Sequence, residues 1–217
     1  MNGEAVIEAV RKALGRSHQP GAVPIPPAIE EPLVRLVHTE IGLPELFVAR
    51  AREGDILADL VGPDDLHRQL VHFLTHHDCR SVALARSPFL DRLGVEDALR
   101  EGGLDVRVWP DVTLDEIYEL DCGITDAAYA VAEVGGLLVR ATPTHGRGLS
   151  LVPGIHVVIV EPRNLVPDLV DLFERLAADR DASAMTIITG PSKTADIEMN
   201  IVKGVHGPGI VQAFVLH

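Results

Sequence analysis

Short apolar runs alternate with helix-like segments through the middle of the chain. Residues 82–85 form an apolar run, residues 95–100 have helical spacing, and residues 105–109 alternate between apolar and polar side chains. A strand, a helix and a second strand at this spacing form a βαβ unit, which makes its two strands parallel. Residues 155–160 add a fully apolar strand. The sequence therefore predicts an α/β fold with a mostly parallel, open sheet flanked by helices.

The first 32 residues have a different pattern. Apolar side chains recur at helical spacing over residues 5–14 and stop at Gly15. Five prolines follow within residues 20–32, and such a segment is extended rather than regular. We therefore predict an N-terminal helical arm with a Pro-rich linker over residues 1–32, and an α/β domain over residues 33–217.

Composition limits the possible functions. The 217-residue chain has a net charge of -13, which argues against binding to the phosphate backbone of nucleic acids. Its two cysteines, Cys79 and Cys122, are predicted to be buried, reduced thiols, and two cysteines alone do not hold an iron–sulfur cluster. His72 and His76 share a helix face but lack a second ligand motif, so we predict no metal site and no cofactor. Without a signal peptide or a membrane-length apolar run, a cytoplasmic location is expected.

Residues 185–216 alternate between apolar and polar segments. Residues 185–188 are predicted to be a buried strand that stops at Gly190. Ser192 or Thr194 can cap a helix with Asp196 and Glu198 in its first turn, where carboxylates are favoured. A tight glycine-rich loop at residues 204–209 then leads into a last strand.

Two side chains in this stretch are candidates for ligand contacts. Lys193, with the backbone N–H groups of the predicted helix start, can bind an anion, and the alternative is an exposed lysine beside a capped helix. His206 lies beside Gly207 in the second loop. It can donate a hydrogen bond to a carboxylate or carry a proton, or it can simply bond to the loop backbone.

Glycines also separate two apolar runs between residues 122 and 140. We predict two strands that meet in a hairpin turn at Gly135 and Gly136, with an alanine-rich helix over residues 125–132 as the alternative. Glu133 precedes the turn, where a carboxylate can act as a nucleophile or base, or be exposed and idle. Further along, Asn164 is predicted to cap a helix whose inward face includes Leu165 and Phe173.

Three stretches taken together resemble one family. Residues 123–136, 190–198 and 204–208 are similar to motifs of the lactate-utilization (LUD) domain family, and the resemblance extends from about residue 40 to the C-terminus. It departs at Val134, Gly135 and Gly136, where the family more often has Thr-Gly-Thr. The resemblance implies an α/β fold like the NagB/RpiA/CoA-transferase group. It also implies a role in oxidising L-lactate to pyruvate alongside LutA-like and LutB-like iron–sulfur proteins.

The resemblance leaves open whether the chain is itself catalytic. Glu133 matches the position of the nucleophile in CoA-transferases of that group, which makes an acyl- or CoA-transferase the alternative function. A nucleotide-binding role for residues 190–194 is a third hypothesis. In each case we expect the loops around Glu133, Lys193 and His206 to meet at one cleft. The predicted ligand-binding residues are Gly135, Gly136, Gly190, Ser192, Lys193, Thr194, Asp196, Glu198, Gly204, His206 and Gly207.

Overall fold

The computed structural model describes residues 3–15, 35, 37, 42–177, 182–195 and 201–217. By its internal contacts the chain divides into two units, residues 1–34 and 35–217. The first unit contains the predicted N-terminal helix, α1 (Gly3–Ala13), none of whose described residues is buried. Gly15, with a φ of +62°, lies just beyond the helix end.

The second unit contains the remaining elements. Its strands in chain order are β1 (Leu57–Val61), β2 (Ser81–Leu84), β3 (Asp105–Val108), β4 (Cys122–Asp126), β5 (Tyr129–Val131), β6 (Gly136–Ala141), β7 (Ile155–Val160), β8 (Leu165–Val166), β9 (Ala184–Ile188), β10 (Lys193–Ala195), β11 (Ile201–Lys203) and β12 (Ile210–Leu216). Its helices are α2 (Leu43–Glu53), α3 (Leu66–His76), α4 (Pro88–Arg92), α5 (Val95–Glu101), α6 (Leu114–Ile117), α7 (Gly148–Leu151) and α8 (Leu169–Leu176), with 3-10 turns at Pro63–Asp65 and Pro162–Asn164.

Six strands form one parallel sheet in the order β1-β12-β7-β4-β2-β3. All six side chains of β7 are buried, as expected for a strand covered on both faces. On one face, Leu70 of α3 belongs to the same buried cluster as Ile124 and Val157 of the sheet. On the other, Phe47 of α2 packs in a cluster with Val158. The predicted α/β class and parallel sheet are confirmed.

A smaller sheet has the order β8-β5-β6-β9. Strands β5 and β6 pair antiparallel, which confirms the predicted hairpin and makes the alanine-rich helix wrong. The predicted strand at residues 185–188 is also present as β9, but it lies at the edge of this sheet. Its side chains alternate in exposure, with Met185 and Ile187 more than a third exposed. The expectation that this strand is buried was therefore wrong, because an edge strand is covered on fewer sides.

Two predicted helix starts are wrong. Residues 193–195 form strand β10, which pairs antiparallel with β11 instead of starting a helix. Asn164 lies in a 3-10 turn and Leu165 in β8, so helix α8 begins four residues later. Its cap is Asp168, whose side chain accepts a 2.9 Å hydrogen bond from the backbone N–H of Asp171. Phe173 is 59% exposed and does not face the core.

Candidate functional site

Strands β2 and β4 are neighbours in the main sheet, and the chain leaves them in opposite directions. From β2 it crosses to β3 on one side, and from β4 it passes to β7 on the other. In open α/β sheets such a switch point opens a crevice at the carboxyl ends of the strands, where ligands bind. A cleft of about 200 Å³ lies here. We call it the switch-point cleft, and its polar lining is Arg86, Ser87, Asp126, Arg140, Thr142, Thr144 and His145.

The loop over residues 142–148 closes one side of the cleft. Its carbonyl groups are held by neighbouring elements: the backbone N–H of Arg86 donates to Thr144 O at 3.1 Å, and the indole N–H of Trp109 donates to Pro143 O at 2.8 Å. Gly146 lies flat on the Trp109 ring, since a Cβ there would be 2.8 Å from ring atoms. These contacts fix the loop and therefore the position of His145 within it.

His145 faces Asp126, the last residue of β4. The imidazole Nδ1 lies 3.8 Å from a carboxylate oxygen of Asp126, and the two side chains are only 12% and 20% exposed. Burial lowers the pKa of His145, the nearby Asp126 carboxylate opposes this shift, and the guanidinium of Arg140 lowers it further. His145 is therefore neutral at pH 7, with one ring nitrogen as donor and the other as acceptor.

Two guanidinium groups complete the cleft. Arg140 extends from β6, and Arg86 follows β2, with its side chain half-exposed and 3.8 Å from Asp111. Arginine matches the two oxygens of a carboxylate or phosphate with parallel hydrogen bonds. Together with the Asp126–His145 pair, this lining can hold a small carboxylate and hydrogen-bond an adjacent hydroxyl or carbonyl oxygen.

The loops around Lys193 and His206 are hydrogen-bonded to each other, away from the switch-point cleft. The backbone N–H of Ser192 donates to Pro208 O at 2.8 Å, and Gly204 N–H donates to Ser192 O at 2.9 Å. A Cβ on Gly207 would lie 3.4 Å from the Ser192 side chain. His206, between these contacts, is exposed. The segments near residues 192 and 206 therefore lie side by side, as expected, while their role in ligand binding stays a prediction.

Lys193 forms an ion pair. Its ammonium lies 2.6 Å from the carboxylate of Asp55, which also accepts Lys203 at 3.3 Å. Hydrogen bonds from the two lysines hold the pKa of Asp55 below its ordinary value. The backbone of Thr194 lies in β10, so no helix N-terminus begins at that residue. Asp196 and Glu198, predicted to bind a ligand, lie outside the described residues.

The glycines of the third predicted site have a packing role. Gly135 has a φ of +61°, and a Cβ there would be 2.2 Å from the backbone nitrogen of Ala51 in α2. A Cβ on Gly190 would be 2.6 Å from the carbonyl oxygen of Gly54. Gly136 is close to Thr189, the residue before Gly190, so the hairpin turn adjoins the segment that begins at Gly190.

Glu133 is half-buried, and its backbone N–H donates to Pro167 O at 2.9 Å. It is not among the residues that line the switch-point cleft. Sequence reasoning missed the four ionisable side chains that do, namely Arg86, Asp126, Arg140 and His145. The only signal for them was their place just after apolar runs or within a polar loop.

The positions of the histidines, cysteines and helices in the described part of the chain bear on metal binding, thiol pairing and membrane insertion. Within it, no three His, Cys, Asp or Glu side chains are grouped to hold a metal ion. His72 and His76 stack with their ring centroids 6.2 Å apart. Cys79 and Cys122 are both buried free thiols, as predicted. Over the same residues, no helix has the length and apolar character needed to cross a membrane.

A family model for the LUD domain matches residues 36–216. This chain belongs to the LUD domain family. Lactate utilization protein C of Halalkalibacterium halodurans is 32% identical to it over 67% of this chain and 66% of that protein, so the match spans just under two thirds of the relative. Lactate utilization protein C of Bacillus subtilis is 25% identical over 99% of this LUD chain and 95% of its own length.

The fold also matches a solved structure. A crystal structure of a DUF162 family protein from Deinococcus radiodurans aligns with a TM-score of 0.62 at 22% identity, covering 83% of this LUD chain and 99% of that one. At this level of identity the likeness concerns the fold alone. It agrees with the parallel, helix-flanked sheet described above.

Proposed function

We propose that this LUD-domain chain is a component of a lactate-utilization system and that its switch-point cleft binds a small carboxylate, L-lactate or pyruvate. The observation that carries the proposal is the lining of that cleft, where arginines flank an Asp126–His145 pair. The names of the full-length relatives supply the substrate class.

The chemistry of a three-carbon 2-hydroxy acid suits this lining. Its carboxylate accepts the paired N–H donors of a guanidinium, supplied by Arg86 or Arg140. Its hydroxyl group is on the carbon next to the carboxylate and donates a hydrogen bond that needs an acceptor. Asp126 provides that acceptor at the rim of β4, and neutral His145 provides a second polar contact. A volume of about 200 Å³ is adequate for such a small acid.

Oxidising L-lactate to pyruvate removes two electrons and two protons. In our proposal the chain binds the carboxylate and handles protons, while LutA-like and LutB-like iron–sulfur proteins receive the electrons. This assigns an accessory role to the chain within an assembly, in keeping with the acidic sequence and its two dispersed, buried cysteines.

Titration calorimetry with L-lactate, pyruvate and propionate tests the binding site. We expect L-lactate or pyruvate to bind more tightly than propionate, which lacks the second oxygen. Arg86→Ala should weaken binding about tenfold or more, because a charge-assisted hydrogen bond contributes about 1.5–3 kcal/mol. Arg68→Ala, at an exposed arginine paired with Asp65 in another part of the molecule, is the matched control and should bind like wild type. Equal affinities for all three acids, or equal losses in both variants, would contradict the proposal.

Affinity capture tests the assembly. A tagged chain isolated from lactate-grown cells of its source should retain iron–sulfur proteins, identified by mass spectrometry and by iron and sulfide content. The same tag on an unrelated acidic protein controls for charge. Retention of no iron–sulfur protein from lactate-grown cells would remove the accessory role while leaving carboxylate binding to be judged by calorimetry.

A further inference from the structure

A second buried histidine lies in β7, the neighbour of strand β4, which ends at Asp126. His156 of β7 is fully buried, and its Nε2 is 2.9 Å from the hydroxyl oxygen of Thr125 in β4. Its other ring nitrogen, Nδ1, is buried and has no hydrogen-bond partner among the described residues. The same is true of Nε2 of His145. Two buried imidazoles therefore each have one unsatisfied nitrogen.

The sheet register brings these rings to one face. Side chains alternate along a strand, so Gly123 and Thr125 of β4 face the same way, and His156 lies opposite Gly123 in the parallel ladder. That face is covered by the segment that follows His145, because a Cβ on Gly123 would be 1.8 Å from the carbonyl oxygen of Leu149. The chain that follows His145 therefore covers the face to which His156 belongs.

The ring contacts allow one assignment of hydrogen-bond roles. The Nδ1 atom of His145 lies 3.8 Å from a carboxylate oxygen of Asp126, and with the proton on Nδ1 its Nε2 is an acceptor. His156 bonds through Nε2 to Thr125, and with the proton on Nε2 its Nδ1 is an acceptor as well. Two acceptors cannot bond to each other, whereas a molecule with two donors can bond to both.

We propose that a buried water molecule donates hydrogen bonds to Nε2 of His145 and to Nδ1 of His156, which makes His156 a positioning residue for His145. Buried water commonly satisfies such groups with two to four hydrogen bonds. The resulting relay joins His145, the water, His156 and Thr125, with the Asp126 carboxylate 3.8 Å from Nδ1 of His145. It fixes the tautomer of His145 and favours its neutral form, because the bond to Nε2 is lost on protonation.

The electrostatics of the region agree with this arrangement. Burial, reinforced by His145, lowers the pKa of His156 to about 3, so His156 is neutral at neutral pH. The charged groups that face His145 are Asp126 from the end of β4, Arg140 from β6 and Arg86 from the end of β2. Only the part of the inference that concerns the ligand rests on the proposed function. In that part, protonation of His145 as the pH falls would strengthen carboxylate binding.

Long-range ¹H–¹⁵N spectra of the histidine rings in the full chain test the relay without a ligand. We expect the Nδ1–H tautomer for His145 and the Nε2–H tautomer for His156. His156→Phe removes the acceptor and should raise the titration midpoint of His145 by about 0.5 pH unit or more. His156→Asn keeps an acceptor near the position of Nδ1 and should leave the midpoint within about 0.2 unit of wild type.

Thr125→Val provides a second route if the phenylalanine variant does not fold. It removes the acceptor that fixes the His156 tautomer at nearly unchanged shape, and should also raise the His145 midpoint. An unchanged midpoint in Thr125→Val and His156→Phe, or an Nδ1–H tautomer for His156, would overturn the relay. Pyruvate affinity measured against pH then separates the two proposals. A chain that shows the spectra but binds no pyruvate keeps the relay and loses the proposed function.

Discussion

The switch-point cleft and the loop region near residues 192–209 hold ionisable side chains in different ways. In the cleft, His145 is 12% exposed and faces Asp126 at 3.8 Å, beyond hydrogen-bond distance. In the loop region, Lys193 is 39% exposed and ion-paired to Asp55 at 2.6 Å. In an exposed, close ion pair the two charges interact mainly with each other and are screened by solvent. A buried histidine with an unsatisfied nitrogen still has bonding capacity for a ligand or water, which is why the cleft is the better candidate site.

The two regions also differ in how tightly backbone segments approach, and this gives the largest expected effect. Gly123→Ala places a methyl group 1.8 Å from the carbonyl oxygen of Leu149, so either β4 or the loop that positions His145 must move. We expect a loss of about 3 kcal/mol in the free energy of unfolding, at the upper end for overpacking. Urea denaturation measures it.

Gly207→Ala is the matched control in the loop region. Its methyl group would have its nearest neighbour at 3.4 Å, an ordinary contact, and Gly207 has no positive φ. The unfolding free energy should change by less than about 0.5 kcal/mol. If both alanine variants lose the same stability, the close approach at Gly123 is not what fixes the cleft loop.

The dependence of stability on pH is the next largest effect. His156 has a folded pKa of about 3, below the unfolded value of about 6.5, so the unfolded chain binds the proton first as the pH falls. Stability from this group is therefore complete above pH 6.5 and declines below it. Between pH 6.5 and pH 5 we expect a loss of about 2 kcal/mol in the free energy of unfolding, since each pH unit corresponds to about 1.4 kcal/mol.

His156→Asn isolates this contribution. The variant cannot take up a proton at position 156, so its stability should decline less steeply over the same pH range, although it is less stable at pH 7. Parallel slopes for the two proteins in pH-dependent urea denaturation would show that other groups cause the acid sensitivity.

The smallest effect is expected at Lys193. The ammonium group of Lys193 is paired with Asp55 outside the switch-point cleft. Lys193→Ala should therefore change the affinity for pyruvate by less than about twofold, a difference within the error of the measurement. Its melting temperature should fall slightly at low salt and match wild type at 1 M NaCl, where exposed ion pairs are screened. A large loss of pyruvate binding would move the ligand site to the loop region and support the predicted ligand contact of Lys193.

Local patterns were enough to predict most elements but not their pairing. The hairpin at Gly135 and the strand at residues 155–160 follow from turn chemistry and apolar runs, which are local properties. Residues 193–195 have good helix-start chemistry, yet they form β10, since pairing with β11 is a tertiary contact that outweighs local preference. The same limit applies to Leu165, which lies in β8 and pairs with Ala130 of β5 in the small sheet instead of starting a helix.

The sequence by itself determined the α/β class, the parallel sheet and the LUD motifs, because hydrophobic periodicity and short loops are encoded by neighbouring residues. Only the tertiary structure decided the candidate site. Arg86, Asp126 and His145 lie in three separate segments, and they meet because the chain leaves β2 and β4 in opposite directions. Strand order is set by packing across the whole sheet, so no local pattern around any of the three residues records that they share a cleft.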